Sequence, residues 1–424
     1  MAVQAPRHIE LSVGEALRQA AETVGTPCYV YFPDAMQKRA QKIHEVFGRR
    51  FGISYAVKAN PNLDLLRALD PHIHGLDVSS GGELKLALEA GYAPSRLSFT
   101  GPGKSLPELR EAVRLGCGEI VVESMDELAD VQNITQEFDR VARVLLRISP
   151  RSMPKGFGVN MAGRPSQFGI DEEHLDEALQ TLSSMKSIHL AGFHIYAGAQ
   201  CLNAESIVEN FLNYMRIFRE FAQRHKLQPE ILVFGGGIGI PYHEGENAVD
   251  LDYVAEQINP ALDALLGLPE FQRATLLLEI GRYLVGEAGY FLTSVRRIKH
   301  SRGRHMAICD GGLNNHLAAC GHFGTIIHRN YMISRLPTQA SLEPATELQE
   351  FDVFGPLCTT IDQLARQLRL SDLACGDVLA IHHSGAYGFT ASPMMFISHR
   401  WAKEVIAERK GDGYALRVNK LFED

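Results

Sequence analysis

The sequence lacks most of what would set it apart from ordinary globular proteins. No apolar run approaches the roughly 20 residues that a membrane-spanning helix needs. The opening stretch MAVQAPRHIELSVGEALRQA has no apolar core of the kind a secretory signal carries. A basic excess is missing too: the net charge of −8 supports solubility and gives no sign of nucleic-acid binding. The seven cysteines are odd in number and contain no C-x-x-C pair, which reads as reduced thiols in a cytoplasmic protein. Low-complexity segments and internal repeats are absent. What remains is a 424-residue chain, 45% hydrophobic and 22% charged, long enough for two domains, one of them a large α/β barrel.

Between residues 53 and 281 short apolar runs alternate with longer amphipathic segments. The runs are ISYAVK (53–58), GLDVSS (75–80), LSFTGP (97–102), EIVVES (119–124), RVLLRIS (143–149), HLAGFHIY (189–196), ILVFGGG (231–237) and TLLLEIG (275–281). Several are apolar on both faces, as parallel strands covered by helices should be. The intervening GGELKLALEAG (81–91) has helical spacing and a glycine stop. SMDELADVQNITQEF (124–138) sets Ser124 three residues before Glu127, a capping-box pattern. Eight strands alternating with helices over roughly 230 residues fit a (β/α)8 barrel, with an open doubly wound sheet as the alternative. The barrel is expected over 28–285. From 286 to 424, short β-prone runs such as FLTSVRRIK (291–299), HMAICDGG (305–312), DVFGPL (352–357) and DVLAIHHSGA (377–386) predict a mostly β domain, with residues 1–27 packing against it.

In a barrel the chemistry lies at the C-terminal ends of the strands. Those ends here carry Lys58, Asp77, Glu123, Arg147, His194 with Tyr196, the triple glycine Gly235–Gly237, and Glu279 with Arg282. Each has a plainer reading. Lys58 in SYAVKAN could reach solvent, or a partly desolvated pocket could lower its pKa and let it form a Schiff base. FGGGIGIPY is G-x-G-x-G rather than G-x-G-x-x-G, and Pro241 interrupts the expected helix, so a single phosphate fits it better than a dinucleotide. Glu279 could hold a protonated ring nitrogen and Arg282 a phosphate, or the two could form a rim ion pair. Cys309, His316, Cys320 and His322 match no standard zinc spacing, and no metal is expected. A lysine, a phosphate cradle, an acid for a ring nitrogen and an aromatic to face a ring form the inventory for pyridoxal 5′-phosphate (PLP).

These motifs, in this order over nearly the whole chain, resemble the fold-type III PLP-dependent decarboxylases, the group that includes the diaminopimelate, ornithine and arginine enzymes. The resemblance makes Lys58 of YAVKAN the cofactor lysine and places Asp77 of GLDVSSGGEL beside it. It makes GGGIG the phosphate loop. In EIGR it sets Glu279 on the pyridine nitrogen and, past Gly281, Arg282 towards the phosphate. Arg147, His194 and Tyr196 join the cofactor set, with Tyr196 standing where the family has a ring-stacking histidine and Ala199 where it has a serine. GPLCTTID resembles the motif whose cysteine, Cys358 here, enters the partner subunit's active site. SGAYGF places Tyr387 at the phosphate. The resemblance thus implies a homodimer with shared sites, in which Cys358 or Lys58 returns a proton to the α-carbon after CO2 leaves.

Where the diaminopimelate enzymes carry an arginine-proline-tyrosine segment, this chain reads DGGLNNHLAACGHFG. MAGRPSQFGID, HIYAGAQ and GAYGFTASPMMF resemble instead a branch acting on elaborated substrates. That branch includes the butirosin-pathway decarboxylase, which uses a glutamyl group on an acyl carrier protein, and related siderophore-pathway enzymes. Asn314, His316, Asp362 and Phe396 are the substrate-contact candidates. The readings that compete with this are a diaminopimelate decarboxylase of lysine biosynthesis, an amino-acid racemase, and a non-catalytic PLP-binding protein.

Overall fold

The computed structural model describes residues 9–323, 329–336, 348–371 and 373–419. The chain divides into two units. One comprises Gln37–Ile240 and Asn247–Tyr283, and the other Met1–Met36, Pro241–Glu246 and Leu284–Asp424.

The first unit is built on eight parallel strands: β1 (Phe51–Ala56), β2 (Gly75–Val78), β3 (Leu97–Phe99), β4 (Glu119–Val122), β5 (Ala142–Ser149), β6 (Ile188–Ile195), β7 (Ile231–Gly235) and β8 (Thr275–Ile280). Each strand pairs with the next, and β8 pairs with β1, setting Glu279 opposite Ser54. The sheet therefore closes into a barrel, which excludes the open doubly wound alternative. All eight apolar runs form barrel strands. Alternation along β7 shows why they are apolar on both faces. Ile231 and Val233 pack with Val121, Leu145, Ala191 and Leu277. The next residue along, Phe234, points the other way and meets Phe51 and the rings of Phe211 and Phe218 on helix Ala204–His225, with centroids 5.2, 5.7 and 5.3 Å away.

Serines start the helices that follow β2 and β4. Ser80 accepts a hydrogen bond from the Glu83 amide, and Ser124 from the Glu127 amide. The expected box at Ser124 closes one residue early, because the Glu127 carboxylate accepts from the Glu123 amide at 2.7 Å. The run ending at Lys58 is also shorter than expected. The strand stops at Ala56, and Val57–Ala59 form a 3-10 turn that carries the lysine off the strand line. Among the described residues no helix is long and apolar enough to cross a membrane.

The second unit is a mostly antiparallel nine-stranded sheet. Its long strand Gly289–Ser301 pairs with Arg304–Cys309, Val378–Ile381 and Cys28–Tyr31. Cys28–Tyr31 lies inside the span read as barrel. All four of its residues are buried, so its local pattern is that of a barrel strand, and only its pairing partners reveal the difference. Helix Leu11–Thr23 packs Ala16, Leu17 and Ala20 onto this sheet beside Cys28, Val30, Leu292 and Val405.

The Phe234 ring is fully buried between β1 and helix Ala204–His225. Phe234→Ala should cost about 3–5 kcal/mol through lost burial and an unfilled cavity. A denaturant titration followed by fluorescence should show the barrel transition at a clearly lower midpoint; an unchanged midpoint would contradict this packing.

Candidate active site

The polar strand ends converge at one rim of the barrel. Lys58 Nζ lies 3.7 Å from Glu279 Oε1 and 3.9 Å from Asp77 Oδ2, and 5.8 Å from the centre of the Tyr196 ring. The lysine side chain is 41% exposed while both carboxylates are buried, so the ammonium stands between solvent and two acids. Gly281 makes this approach possible: a Cβ there would sit 2.8 Å from the Ala59 Cβ and 3.1 Å from the Ala56 carbonyl oxygen. The exit of β8 can then lie against the turn that carries Lys58, with Arg282 opening the short helix Arg282–Val285.

The two acids are in opposite states. Burial alone would push the Glu279 carboxyl up, but the His194 hydrogen bond and the charges of Lys58 and Arg147 hold it down at about 2. His194 Nε2–H donates to Glu279 Oε2 at 2.6 Å, and the pair is almost wholly inaccessible. Asp77 is pushed well above the ordinary carboxylate range by its own burial and by the Glu279 charge, although Lys58 and the Thr100 hydroxyl oppose this. Thr100 donates to Asp77 Oδ1. With one charge on the lysine and two buried acids beside it, only the acid bonded to His194 stays ionised.

Arg147 holds a bracing position. It donates to Glu123 Oε2 at 2.8 Å and lies 4.7 Å from the centre of the Phe168 ring. The Glu123 carboxylate also accepts the amides of Gly101 and Gly169, at 2.8 and 3.1 Å. This buried knot ties three rim loops together, and its geometry assigns Glu123 a larger structural part than its strand-end position implied.

Beyond β7 the glycine loop is shaped by close approaches. A Cβ at Gly235 would come within 2.5 Å of the Tyr196 ring, and one at Gly236 within 2.5 Å of Ile280. Gly237 has φ +60°. The Gly236 amide donates to the Glu279 carbonyl at 2.9 Å, so the loop and the acid are fixed together. Next to it lies a two-stranded ribbon, Phe157–Asn160 with Gly198–Cys201, that the sequence reading did not identify. Its strands are four residues each, so the alternation of Phe157 and Val159 is too short to mark it in the sequence.

The remaining candidates belong to the β unit. Asn314 is buried with both ends of its amide unpartnered among the described residues, and so is Asn315. Two neighbours proposed for substrate contact are otherwise engaged. His316 is fully buried, bonded to Ser384 at 3.0 Å, and its pKa is lowered to about 3 by desolvation. Asp362 accepts the amides of Leu313 and Leu357 at 2.6 and 2.7 Å, which braces the loop around them. Cys358 is exposed, as is Phe396. Tyr387, at φ 53°, stacks on Phe323 with ring centres 5.3 Å apart. Of the four residues weighed for zinc, Cys309 and Cys320 are buried thiols with raised pKa values, and His316 lies in the core.

A parallel (β/α)8 barrel whose rim sets a lysine between two buried acids, beside a glycine loop, defines a PLP-binding barrel. The chain belongs to the pyridoxal-dependent decarboxylases: residues 34–286 match the model of that family's pyridoxal-binding domain. It is 31% identical to the L-glutamyl–acyl-carrier-protein decarboxylase of Niallia circulans, over 94% of this chain and 92% of that one. It is 30% identical to the 2-((L-alanin-3-ylcarbamoyl)methyl)-2-hydroxybutanedioate decarboxylase of Staphylococcus aureus, over 88% and 91%. The crystal structure of diaminopimelate decarboxylase from Helicobacter pylori complexed with L-lysine superposes with a TM-score of 0.82 at 30% identity, covering 95% of each chain. The protein is a PLP-dependent amino-acid decarboxylase.

The opposite shifts of the two acids give opposite stability effects. Glu279 is lowered, so its contribution is present above the ordinary carboxylate pKa and is lost as pH falls towards about 2. Asp77 is raised, so what it contributes is complete at acid pH and is lost as pH rises through its folded value. Near neutral pH, Glu279→Gln should lower the melting temperature of the cofactor-free protein, while Asp77→Asn should leave it unchanged or raise it. A thermal-shift series from mildly acid to neutral pH tests this; the reverse order would refute the assignment of charge.

Proposed function

We propose that this decarboxylase removes the α-carboxylate of an amino-acid group that is part of a larger, amide- or acyl-extended substrate, rather than of free meso-diaminopimelate. One observation carries the reading. The segment that lacks the arginine-proline-tyrosine set holds two buried asparagines whose amides have no partner among the described residues. A buried amide without partners is costly, and it complements another amide or carbonyl better than it complements a charged α-amino acid terminus. Support also comes from two relatives named for an amino-acid group on a larger body, one of them carried by an acyl carrier protein. A carrier-bound or siderophore-type substrate is the class this reading favours, in a cytoplasm where the free cysteines stay reduced.

PLP supplies an electron sink for the pair left behind when CO2 departs. In this reading Lys58 holds the cofactor aldehyde and Glu279, ionised by its His194 bond, keeps the ring nitrogen protonated. Tyr196 faces the ring, the Gly235–Gly237 loop with Arg282 and Tyr387 takes the phosphate, and Asp77 stands neutral beside the lysine. Cys358 serves the site of a second copy of the chain and delivers the proton to the α-carbon. Asn314, with the exposed Phe396, receives the extended part of the substrate.

The PLP-loaded enzyme should release CO2 from an L-glutamyl thioester or an amide-extended amino acid roughly a hundredfold more efficiently than from meso-diaminopimelate, a ratio set by unpaired polar groups. Lys58→Ala should lose both the yellow colour and the CO2. Efficient, saturable turnover of free meso-diaminopimelate would refute the substrate reading and restore the lysine-biosynthesis one. The shared-site arrangement has its own test. Inactive Lys58→Ala and inactive Cys358→Ala chains, once mixed and shown to exchange, should regain activity in hybrid dimers, and continued inactivity would rule it out.

A further inference from the structure

The glycine loop is tied at two points, and the donors it leaves over lie between them. On one side the Gly236 amide donates to the Glu279 carbonyl. On the other, strand Gly198–Cys201 of the ribbon is stitched to the loop: the Cys201 amide donates to the Gly237 carbonyl at 3.0 Å, and the Gly239 amide to the Cys201 carbonyl at 2.8 Å. The next residue is gripped by a side chain. Gln200 Nε2 donates to the Ile240 carbonyl at 2.7 Å, and Gln200 Oε1 accepts the Ile240 amide at 3.2 Å. Among the described residues the amides of Gly237 and Ile238 find no partner, and they sit between the two ties.

Gln200 reaches this grip from an unfavourable backbone. Its φ is 56°, a left-handed conformation that residues other than glycine, asparagine and aspartate rarely adopt. Glycine or asparagine would suit the turn better, yet neither can reach Ile240 with a two-point amide. A residue held in a disfavoured conformation by two hydrogen bonds across 40 residues of sequence points to a positional demand at the far end of those bonds.

We propose that Gln200 is a positioning residue for the phosphate group of the cofactor. Its two-point grip on Ile240 holds the Gly237 and Ile238 amides at the spacing that receives a phosphate. Gln200 itself touches no reacting atom. Its effect falls at the phosphate end, because it bonds to Ile240, on the far side of the Gly237 and Ile238 amides from the Gly236 tie to Glu279. The inference rests on the reading of the Gly235–Gly237 loop as the phosphate cradle, and the test separates the two.

Full-length cofactor-free enzyme is titrated with PLP and with pyridoxal, which lacks the phosphate, and both dissociation constants are read from fluorescence quenching. The wild type should bind PLP far more tightly than pyridoxal. In Gln200→Gly, which relieves the backbone and removes both side-chain bonds, that ratio should fall about tenfold, two neutral hydrogen bonds being the interactions removed. Pyridoxal binding should stay unchanged. Gln200→Asn, which keeps the amide and tolerates the turn but is one methylene too short, should behave the same way and provides the measurement if the glycine variant does not fold. A wild-type preference for PLP that survives in the folded variants would overturn the positioning role. Equal loss of PLP and pyridoxal binding would also overturn it, since a general disturbance of the rim would do that. A wild type that does not discriminate between the two ligands would instead bring down the phosphate-cradle reading beneath it.

Discussion

An ionised carboxylate buried at the end of a barrel strand is the constraint around which the rim is organised. Taking Glu279 out of water would by itself protonate it. The compensation comes from β6, two strands away, through His194 at hydrogen-bonding distance, and from the turn after the adjoining β1, through Lys58. Asp77 is buried just as deeply but has no such imidazole. It receives only a hydroxyl bond from Thr100 and the Lys58 charge at 3.9 Å, so the shared field of Glu279 decides its state and keeps it neutral. One cation, one anion and one neutral acid is the arrangement with the least uncompensated charge in a dry site. It also leaves Lys58 between an ionised carboxylate, Glu279 at 3.7 Å, and a neutral acid, Asp77 at 3.9 Å.

The same carboxylate strand controls the backbone around it. The carbonyl of Glu279 accepts the Gly236 amide, so the acid and the glycine loop move as one piece. Side chains are excluded at Gly235, Gly236 and Gly281 because the Tyr196 ring, the Ile280 side chain and the Ala59 Cβ already crowd the Cβ positions. These glycines are therefore a packing requirement of the closed barrel as much as a feature of any ligand. Tight packing on one side of the loop is compatible with anion binding on the other, where the Gly237 and Ile238 amides stay unengaged among the described residues.

Much of the architecture was legible because it rests on repeated local signals. The eight barrel runs combine apolar faces with polar final residues, and closure follows once β8 finds β1. Where the reading went astray, the missing information was non-local. Cys28–Tyr31 looks like a barrel strand until its partners are known, and the ribbon strand Phe157–Asn160 alternates over only four residues, none of them buried. At the rim, residue identity and strand position were enough to collect Lys58, Asp77, His194 and Glu279. They could not show that Asp362 and His316 are consumed in bracing loops and core, because that depends on which backbone amides and hydroxyls they meet. Gln200 illustrates the limit. A glutamine near a motif is unremarkable in sequence, and only its left-handed backbone and its reach to Ile240 single it out.

A division of labour follows from where these groups reside. The residues proposed to hold the cofactor sit on strand ends and on the glycine loop, which the barrel's hydrogen-bond ladder and the Glu123–Arg147 knot brace. The residues proposed for the far end of a substrate belong to the β unit, on the segment after Asp310 and in the exposed run 395–401, outside the barrel ladder. Chemistry common to the family can then stay constant while the distal contacts change. Relatives about 30% identical to this chain are named for substrates as different as a carrier-bound glutamyl group and diaminopimelate. In the proposed layout the barrel rim accounts for the reaction, and the buried, unpartnered amides of Asn314 and Asn315 are the feature on which the substrate reading turns.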